Sequence, residues 1–317
     1  MTGINYFYDD CRLCPRNCGV NRAGGEKGFC GETDELRIAL AGIHYGEEPP
    51  VTGGNGSGTV FFSGCNLACV FCQNYQISHN GLGRVVSTEE FVDICLALQK
   101  NSAENINLVT GSHAAPAIIK GIIQARRAGL TIPCLWNSSG YETTETIGRL
   151  DGIIDMYLPD LKTLDEKIAH NFFNAPDYPL YAAQAVRKMI GTGKPVIVRH
   201  LVLPEYLEST KKVLQWFAAN KKQNVQLSLM TQYTPVKGAR LCAGNSEPDR
   251  FVNDDEYKTV LQWLEDFEIE DGFYQELETG DGWLPDFTAC AAEVFPKKLC
   301  RTVWHYGEGF AGYKKLT

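Results

Sequence analysis

From Thr59 onward, short apolar runs alternate with longer amphipathic stretches. The runs at Thr59–Ser63, Ile106–Thr110, Ile132–Asn137, Ile153–Leu158, Val196–Leu203 and Val225–Met230 predict strands, and Phe273–Leu277 predicts a further one. An earlier run, Leu36–Ile43, predicts a strand ahead of them. The intervening stretches read as helices. Ser87 with Glu90 and Thr163 with Glu166 form capping-box signatures, and Phe91, Ile94, Cys95 and Leu98 recur at helical spacing. Ala115–Ala128 ends at Gly129, and Ser209 can cap the helix carrying Val213, Leu214 and Phe217. Uniformly apolar strands between helices imply a parallel sheet covered on both faces. The count falls short of the eight units of a closed barrel. The predicted fold class is therefore α/β, a partial, open parallel β/α barrel of about six units with N-terminal cysteine-rich and C-terminal extensions. Pro49 and Pro50 are expected to stop any helix, and with Gly53, Gly54, Gly56 and Gly58 they mark a boundary. The division expected is a cysteine-rich metal-binding segment over 1–50, the barrel core over 51–235, and an extension completing or covering the barrel over 236–317.

The stretch VFFSGCNLACVFCQNY, Val60–Tyr75, follows the first barrel strand and spaces Cys65, Cys69 and Cys72 as C-x3-C-x2-C. Three soft thiolates so close in sequence can wrap one iron–sulfur cluster, and the missing fourth ligand leaves an iron open to a small chelating molecule. Zinc would call for a fourth ligand, and the nearest histidine, His79, lies outside the loop. A second group, Cys11, Cys14, Cys18 and Cys30, is spaced by turn-permitting glycines and can close around zinc or a second iron–sulfur cluster. A cluster there would relay electrons, whereas zinc would only fold the segment. Cys95, Cys134, Cys242, Cys290 and Cys300 read as core thiols.

Of the 317 residues, 44% are hydrophobic and 21% charged, a soluble globular composition. A net charge of −8 without a basic run makes a nucleic-acid backbone an unlikely partner. No stretch has the length of a membrane span and the N-terminus has no leader pattern, so a cytoplasmic location is expected. Seven of the 12 cysteines fall in the two metal-spaced groups, which fits a reducing compartment.

Ligands of parallel α/β folds gather at the carboxyl ends of strands. There the chain places Thr110, Gly111, Ser112 and His113, then Asn137 and Ser138, suited to ribose hydroxyls, then Asp160 and Lys162, then Arg199 and His200. Adjacent strand residues face opposite ways, so Arg199 is assigned to the interior and His200 to the helix side. His44, Glu47 and Glu48 are expected to be solvated loop residues.

The cysteine loop resembles that of the radical S-adenosylmethionine (SAM) superfamily, C-x3-C-x-aromatic-C, with Phe71 in the aromatic position. The resemblance implies a three-cysteine four-iron (4Fe-4S) cluster whose open iron takes the amino and carboxylate groups of SAM. One electron then splits a carbon–sulfur bond, and a 5′-deoxyadenosyl radical abstracts a substrate hydrogen. The turn Thr110–Gly111–Ser112 is similar to the Gly-Gly-Glu stretch of many members, with only Gly111 in common, and implies backbone contacts to the SAM amino group. Asp160-x-Lys162 resembles the pair in the pyruvate formate-lyase activating enzyme branch, implying that Lys162 approaches the SAM carboxylate. VIVRHLVLP resembles an arginine-bearing strand of that branch, implying Arg199 for a SAM or substrate carboxylate, while Tyr233 stands where activases carry a histidine. Glu47–Pro50, Phe61–Asn74 and Asn137–Glu142 match an activase-like subgroup with an N-terminal cysteine group. Its implied partners are SAM, a reducing donor such as flavodoxin or ferredoxin, and a glycyl-radical enzyme. Alternatives are radical modification of a small molecule, peptide or RNA, and a non-catalytic iron–sulfur or zinc protein.

Overall fold

Ten of the strands form one continuous path, with an eleventh attached to its side. They are β1 (Leu36–His44), β2 (Ser57–Phe62), β3 (Arg84–Val86), β4 (Ile106–Val109), β5 (Cys134–Ser138), β6 (Met156–Pro159), β7 (Val196–Leu201), β8 (Val225–Met230), β9 (Gly272–Tyr274), β10 (Cys300–His305) and β11 (Gly309–Phe310). The computed structural model describes residues 6–236, 248–296 and 299–311, so Cys242 lies outside the described residues. The order across the sheet is β11-β10-β1-β2-β4-β5-β6-β7-β8-β9, with β3 on β1. From β2 to β9 every neighbour is parallel. The two ends do not meet, so the barrel is open and partial, as the count of units predicts.

The strands are short and apolar because both faces are covered. On the outer face Ile106, Leu108, Trp136, Tyr157 and Val198 pack beneath helices, among them Thr88–Lys100, Ala115–Arg127 and Tyr178–Ile190. Helices Thr88–Lys100 and Ala115–Arg127 approach closely at Gly121, where a Cβ would lie 2.3 Å from the Phe91 ring. On the inner face Leu135, Leu158 and Ile197 form a small separate cluster with Val51.

Val51 corrects the reading of the proline pair. Pro49 and Pro50 begin a one-turn helix, Pro49–Thr52, because a helix's first N–H groups have no intrahelical partner and proline presets the first turn. This turn pushes Val51 onto the inner cluster. Ser87 caps its helix as expected. Thr163 and Ser209 do not cap theirs: their hydroxyls share a 2.7 Å hydrogen bond, and Asp165 accepts from the N–H groups of Lys167 and Ile168 instead. The pattern also misses β3, β10 and β11. β10 pairs antiparallel with β1, so the tail returns across the whole chain to the edge beside the N-terminal strand. No helix among the described residues is long and apolar enough to cross a membrane.

Candidate active site

At the carboxyl ends of the parallel strands lies a cavity of about 710 Å³ lined by Cys65, Cys69 and Cys72 together with Phe71, Thr110, Asn137, Ser138, Asp160, Lys162 and Arg199. Residues far apart in the chain thus meet on one surface. Gly111 and Ser112 do not reach it. Gly111 keeps φ at −84°, and what it provides is space, since a Cβ would lie 2.5 Å from Ile118 and 3.1 Å from the Trp136 ring. The neighbouring Thr110 is the strained residue, a β-branched side chain at φ 59° where β4 turns away.

The cysteine loop leaves β2 through Gly64 at φ 80°. Ala68 and Val70 donate backbone hydrogen bonds to Phe173 and Phe172, at 3.2 and 3.0 Å, which ties the loop to the end of helix Glu166–Phe173. Phe71 turns its ring edgewise to Phe172, Phe173 and Tyr233, with centroids 5.4–6.1 Å apart. Tyr233, at the position where a histidine contact is typical, therefore buttresses the loop. Its hydroxyl donates to the Pro248 carbonyl.

Burial pushes the Cys65 thiol up to about 12 and raises Cys69 and Cys72 as well, against the pull of the Lys162 ammonium near all three. Left alone these thiols are neutral at pH 7, and a metal cation is what would draw off their protons. Among the described residues, no three Cys, His, Asp or Glu side chains converge as ligands of a single metal ion. The three sulfurs border a shared space, which suits a multi-iron cluster, and the buried Ser139 hydroxyl on the same cavity wall has no hydrogen-bond partner. The donor set fits a cluster with an adjoining polar ligand.

Lys162 Nζ donates to Asp160 Oδ2 at 2.6 Å. Burial disfavours its charge, but Asp160 and Cys69 outweigh that and raise it. Arg199 points inward and His200 outward, as strand alternation requires. His200 is buried between the Leu161 carbonyl and Thr210, at 2.8 and 3.0 Å. Arg199, expected to take a SAM or substrate carboxylate, is already engaged. Its Nε donates to Glu48 at 2.8 Å, and its terminal nitrogen reaches both Glu47 and Glu48. Glu47 and Glu48 are therefore not solvated: the Pro49–Thr52 turn carries them into the cavity, with side chains 10% and 8% exposed. Burial alone would raise the Glu48 carboxyl, yet Arg199 holds it below its usual range. His44, also half inside, is kept neutral by burial.

The residue that sequence reasoning missed is Glu142. It is fully buried and accepts from Trp136 Nε1 at 2.6 Å and from the hydroxyls of Ser112 and Ser138 at 2.8 Å each. It fastens the loops after β4 and β5 to one another, and Ser112 serves that purpose. Burial raises its carboxyl, against the three donors. Its only signal was its place at the end of the NSSGYE stretch.

Cys11, Cys14, Cys18 and Cys30 sit outside this cavity, against the back of the cysteine loop, where Arg16 donates to the Asn66 carbonyl at 2.8 Å. Cys95 and Cys134 are core residues, Cys300 is half-buried and Cys290 is exposed. Phe287 packs with Phe61 and Phe295, while Trp283 lines the cavity.

Residues 59–217 match the family model described as the radical SAM superfamily. The chain is 27% identical over 273 residues to the uncharacterized protein MJ0674 of Methanocaldococcus jannaschii, covering 83% of this chain and 77% of that one. In fold it is similar to the FeFe-hydrogenase maturase HydG of Carboxydothermus hydrogenoformans, with a TM-score of 0.52 and 16% identity over 68% of this chain and 52% of that one. A radical SAM methyltransferase of Sphaerobacter thermophilus matches with a TM-score of 0.50 and 16% identity, over 69% and 66% of the two chains. The chain thus spans about half the length of HydG, and 47% of the Streptococcus suis SuiB chain that it also matches. With half of its 317 residues inside that family model, the chain is an enzyme of the radical SAM superfamily, a membership that carries a 4Fe-4S cluster and SAM as its cofactors.

Proposed function

We propose that Cys65, Cys69 and Cys72 are the three protein ligands of the 4Fe-4S cluster and that SAM occupies the cavity beside them. One observation carries this reading: the three buried thiols and the Asp160–Lys162 pair line the same cavity. Bound there, the cluster and SAM would supply a 5′-deoxyadenosyl radical, after one-electron reduction, for hydrogen abstraction. The chain's own residues bind and orient. Lys162, held charged by Asp160, meets the SAM carboxylate, and an ammonium is a compact partner for it. Asn137, Ser138 and Ser139 face the ribose, with the unpartnered Ser139 hydroxyl free to bond to it. Thr110, which lines the cavity, offers backbone groups to the SAM amino group. Phe71 and the aromatic residues around it keep the loop rigid and exclude water.

For the substrate, the first reading is a glycine of a glycyl-radical enzyme, supported by the activase-like Asp160-x-Lys162 and VIVRHLVLP stretches. A second reading is favoured by Glu47 and Glu48: two carboxylates on one guanidinium leave negative charge on the cavity wall, which suits a small molecule or peptide bearing an amine. Anaerobically reconstituted, reduced protein given SAM is expected to release 5′-deoxyadenosine, and none from a fully loaded cluster would end the reading. A glycyl-radical signal by electron paramagnetic resonance, on mixing with a candidate partner enzyme, separates the two substrate classes.

A further inference from the structure

The N-terminal cysteines lie outside the matched family region and outside the SAM cavity, yet the fold gathers them beside the cysteine loop. Turns at Asn17 and Gly19, both at positive φ, fold Gly19 N–H onto the Cys11 carbonyl at 3.0 Å. A Cβ on Gly28 would lie 3.5 Å from Cys18 Sγ and 3.7 Å from Cys30 Sγ, so these two sulfurs flank one glycine.

A second observation concerns charge. Arg22 is 1% exposed, and its guanidinium donates to the carbonyls of Glu32, Thr33 and His113 and, at 3.6 Å, to Cys11 Sγ. Among the described residues its hydrogen bonds go to no carboxylate; the Glu32 carboxylate is bonded to Arg37 instead. A buried guanidinium is costly unless negative charge compensates it, and beside the Glu32 carboxylate nearby, metal-bound thiolates at Cys11 and its neighbours would supply that charge. The Phe29 N–H also donates to Cys18 Sγ, at 3.4 Å, and N–H···S bonds of this kind set the potential of iron–sulfur centres.

A third observation is distance. The Cys30 carbonyl would lie 2.7 Å from a Cβ on Gly64, the residue before Cys65, and Arg16 grips the carbonyl of Asn66 just after it. Packed backbone, with the Glu32 side chain and the His113 ring, separates the two cysteine groups at Gly64. Cys14, Cys18 and Cys30 are partly exposed, so an external donor can approach them without entering the SAM cavity.

We infer that Cys11, Cys14, Cys18 and Cys30 hold a second, redox-active 4Fe-4S cluster through which electrons reach the centre at Cys65, Cys69 and Cys72. The inference rests on the ligand assignment under Proposed function. One electron enters from a low-potential one-electron carrier of the flavodoxin or ferredoxin class, which is oxidised. The same electron leaves for the second centre and is consumed in breaking the sulfonium C–S bond, giving methionine and the 5′-deoxyadenosyl radical. Zinc, which has no redox chemistry, cannot take this part.

The test compares anaerobically reconstituted wild type with a Cys65→Ala, Cys69→Ala, Cys72→Ala triple variant and a Cys18→Ala, Cys30→Ala double variant. Wild type is expected to hold about eight irons and each variant about four, the triple variant showing a reducible cluster signal of its own. The double variant should lose at least about tenfold in 5′-deoxyadenosine formation with reduced flavodoxin, but less than about twofold with dithionite, which bypasses the relay. Zinc without iron in the triple variant overturns the inference and leaves the Cys65–Cys72 assignment standing. Wild-type iron fully retained in the triple variant sinks that assignment instead. Equal losses with both reductants overturn the relay. If the double variant does not fold, the triple variant decides alone, since its intact N-terminal group either carries reducible iron or does not.

Discussion

The two cysteine groups lie back to back and are built to opposite plans. The N-terminal group has four sulfurs on a small turn-rich segment, and its nearest charge is a buried guanidinium hydrogen-bonded to sulfur. The barrel group has three, its nearest charge is an ammonium already shared with a carboxylate, and it opens into a cavity with a free serine hydroxyl. Four ligands close a site and three leave one open for chemistry. The first plan suits electron transfer, and the second suits a chelating substrate.

The sharpest break in this comparison comes from removing one ligand from each side. Cys69→Ala is expected to lower 5′-deoxyadenosine formation by at least about a thousandfold with any reductant, because the cluster that cleaves SAM is lost. Cys14→Ala should spare dithionite-driven cleavage. Equal losses would mean that the two groups form one functional unit.

The buried cations distinguish the two sides next. Arg22→Met leaves thiolates without their counter-charge and is expected to cost about 3 kcal/mol of stability, read as a urea midpoint on the loaded protein. Lys162→Met sits where Asp160 can still meet solvent. It should weaken SAM binding about tenfold by equilibrium titration, with stability changed by less than about 1 kcal/mol. A Lys162 variant that bound SAM normally would remove the carboxylate contact from the site.

The smallest expected effect concerns the wall between the groups. His113 accepts from Arg22 through its carbonyl, and its ring Nε2 would lie 3.3 Å from a Cβ on Gly64. Burial pushes its imidazole down to about 3, with Arg22 adding to the effect. The folded state therefore binds fewer protons than the unfolded state below pH 6.5, so this contribution is complete above that pH and is lost as pH falls toward 3. Between pH 7 and 5 the loss should be about 2 kcal/mol for this one group, and His113→Gln should flatten the urea-midpoint profile over that interval. His200, pushed down to about 4 by burial, acts in the same direction and should keep part of the slope in that variant.

Residues whose placement follows from local spacing were legible in the chain. The cysteine loop, the strand-helix alternation, the Asp160–Lys162 pair and the opposite facings of Arg199 and His200 all depend on neighbours within a few positions. Glu47 and Glu48 were misread because a proline pair looks like a loop, and only the sheet shows that the turn it starts inserts into the barrel. Glu142 gave little local sign beyond its place in the NSSGYE stretch: Trp136 and Ser138 on β5 and Ser112 on the turn after β4 meet its carboxylate only once the two strands are packed.

By itself the sequence determined an open parallel barrel with a three-thiol loop at its mouth, because hydrophobic period and ligand spacing are properties of short segments. Tertiary structure alone decided that two carboxylates occupy Arg199 inside the cavity and that the N-terminal cysteines lie behind the Cys65 loop, with the Cys30 carbonyl packed against Gly64. Contacts of that kind join residues as far as 152 positions apart, as Arg199 and Glu47 are, and nothing in the intervening chain records them until the strands are packed side by side.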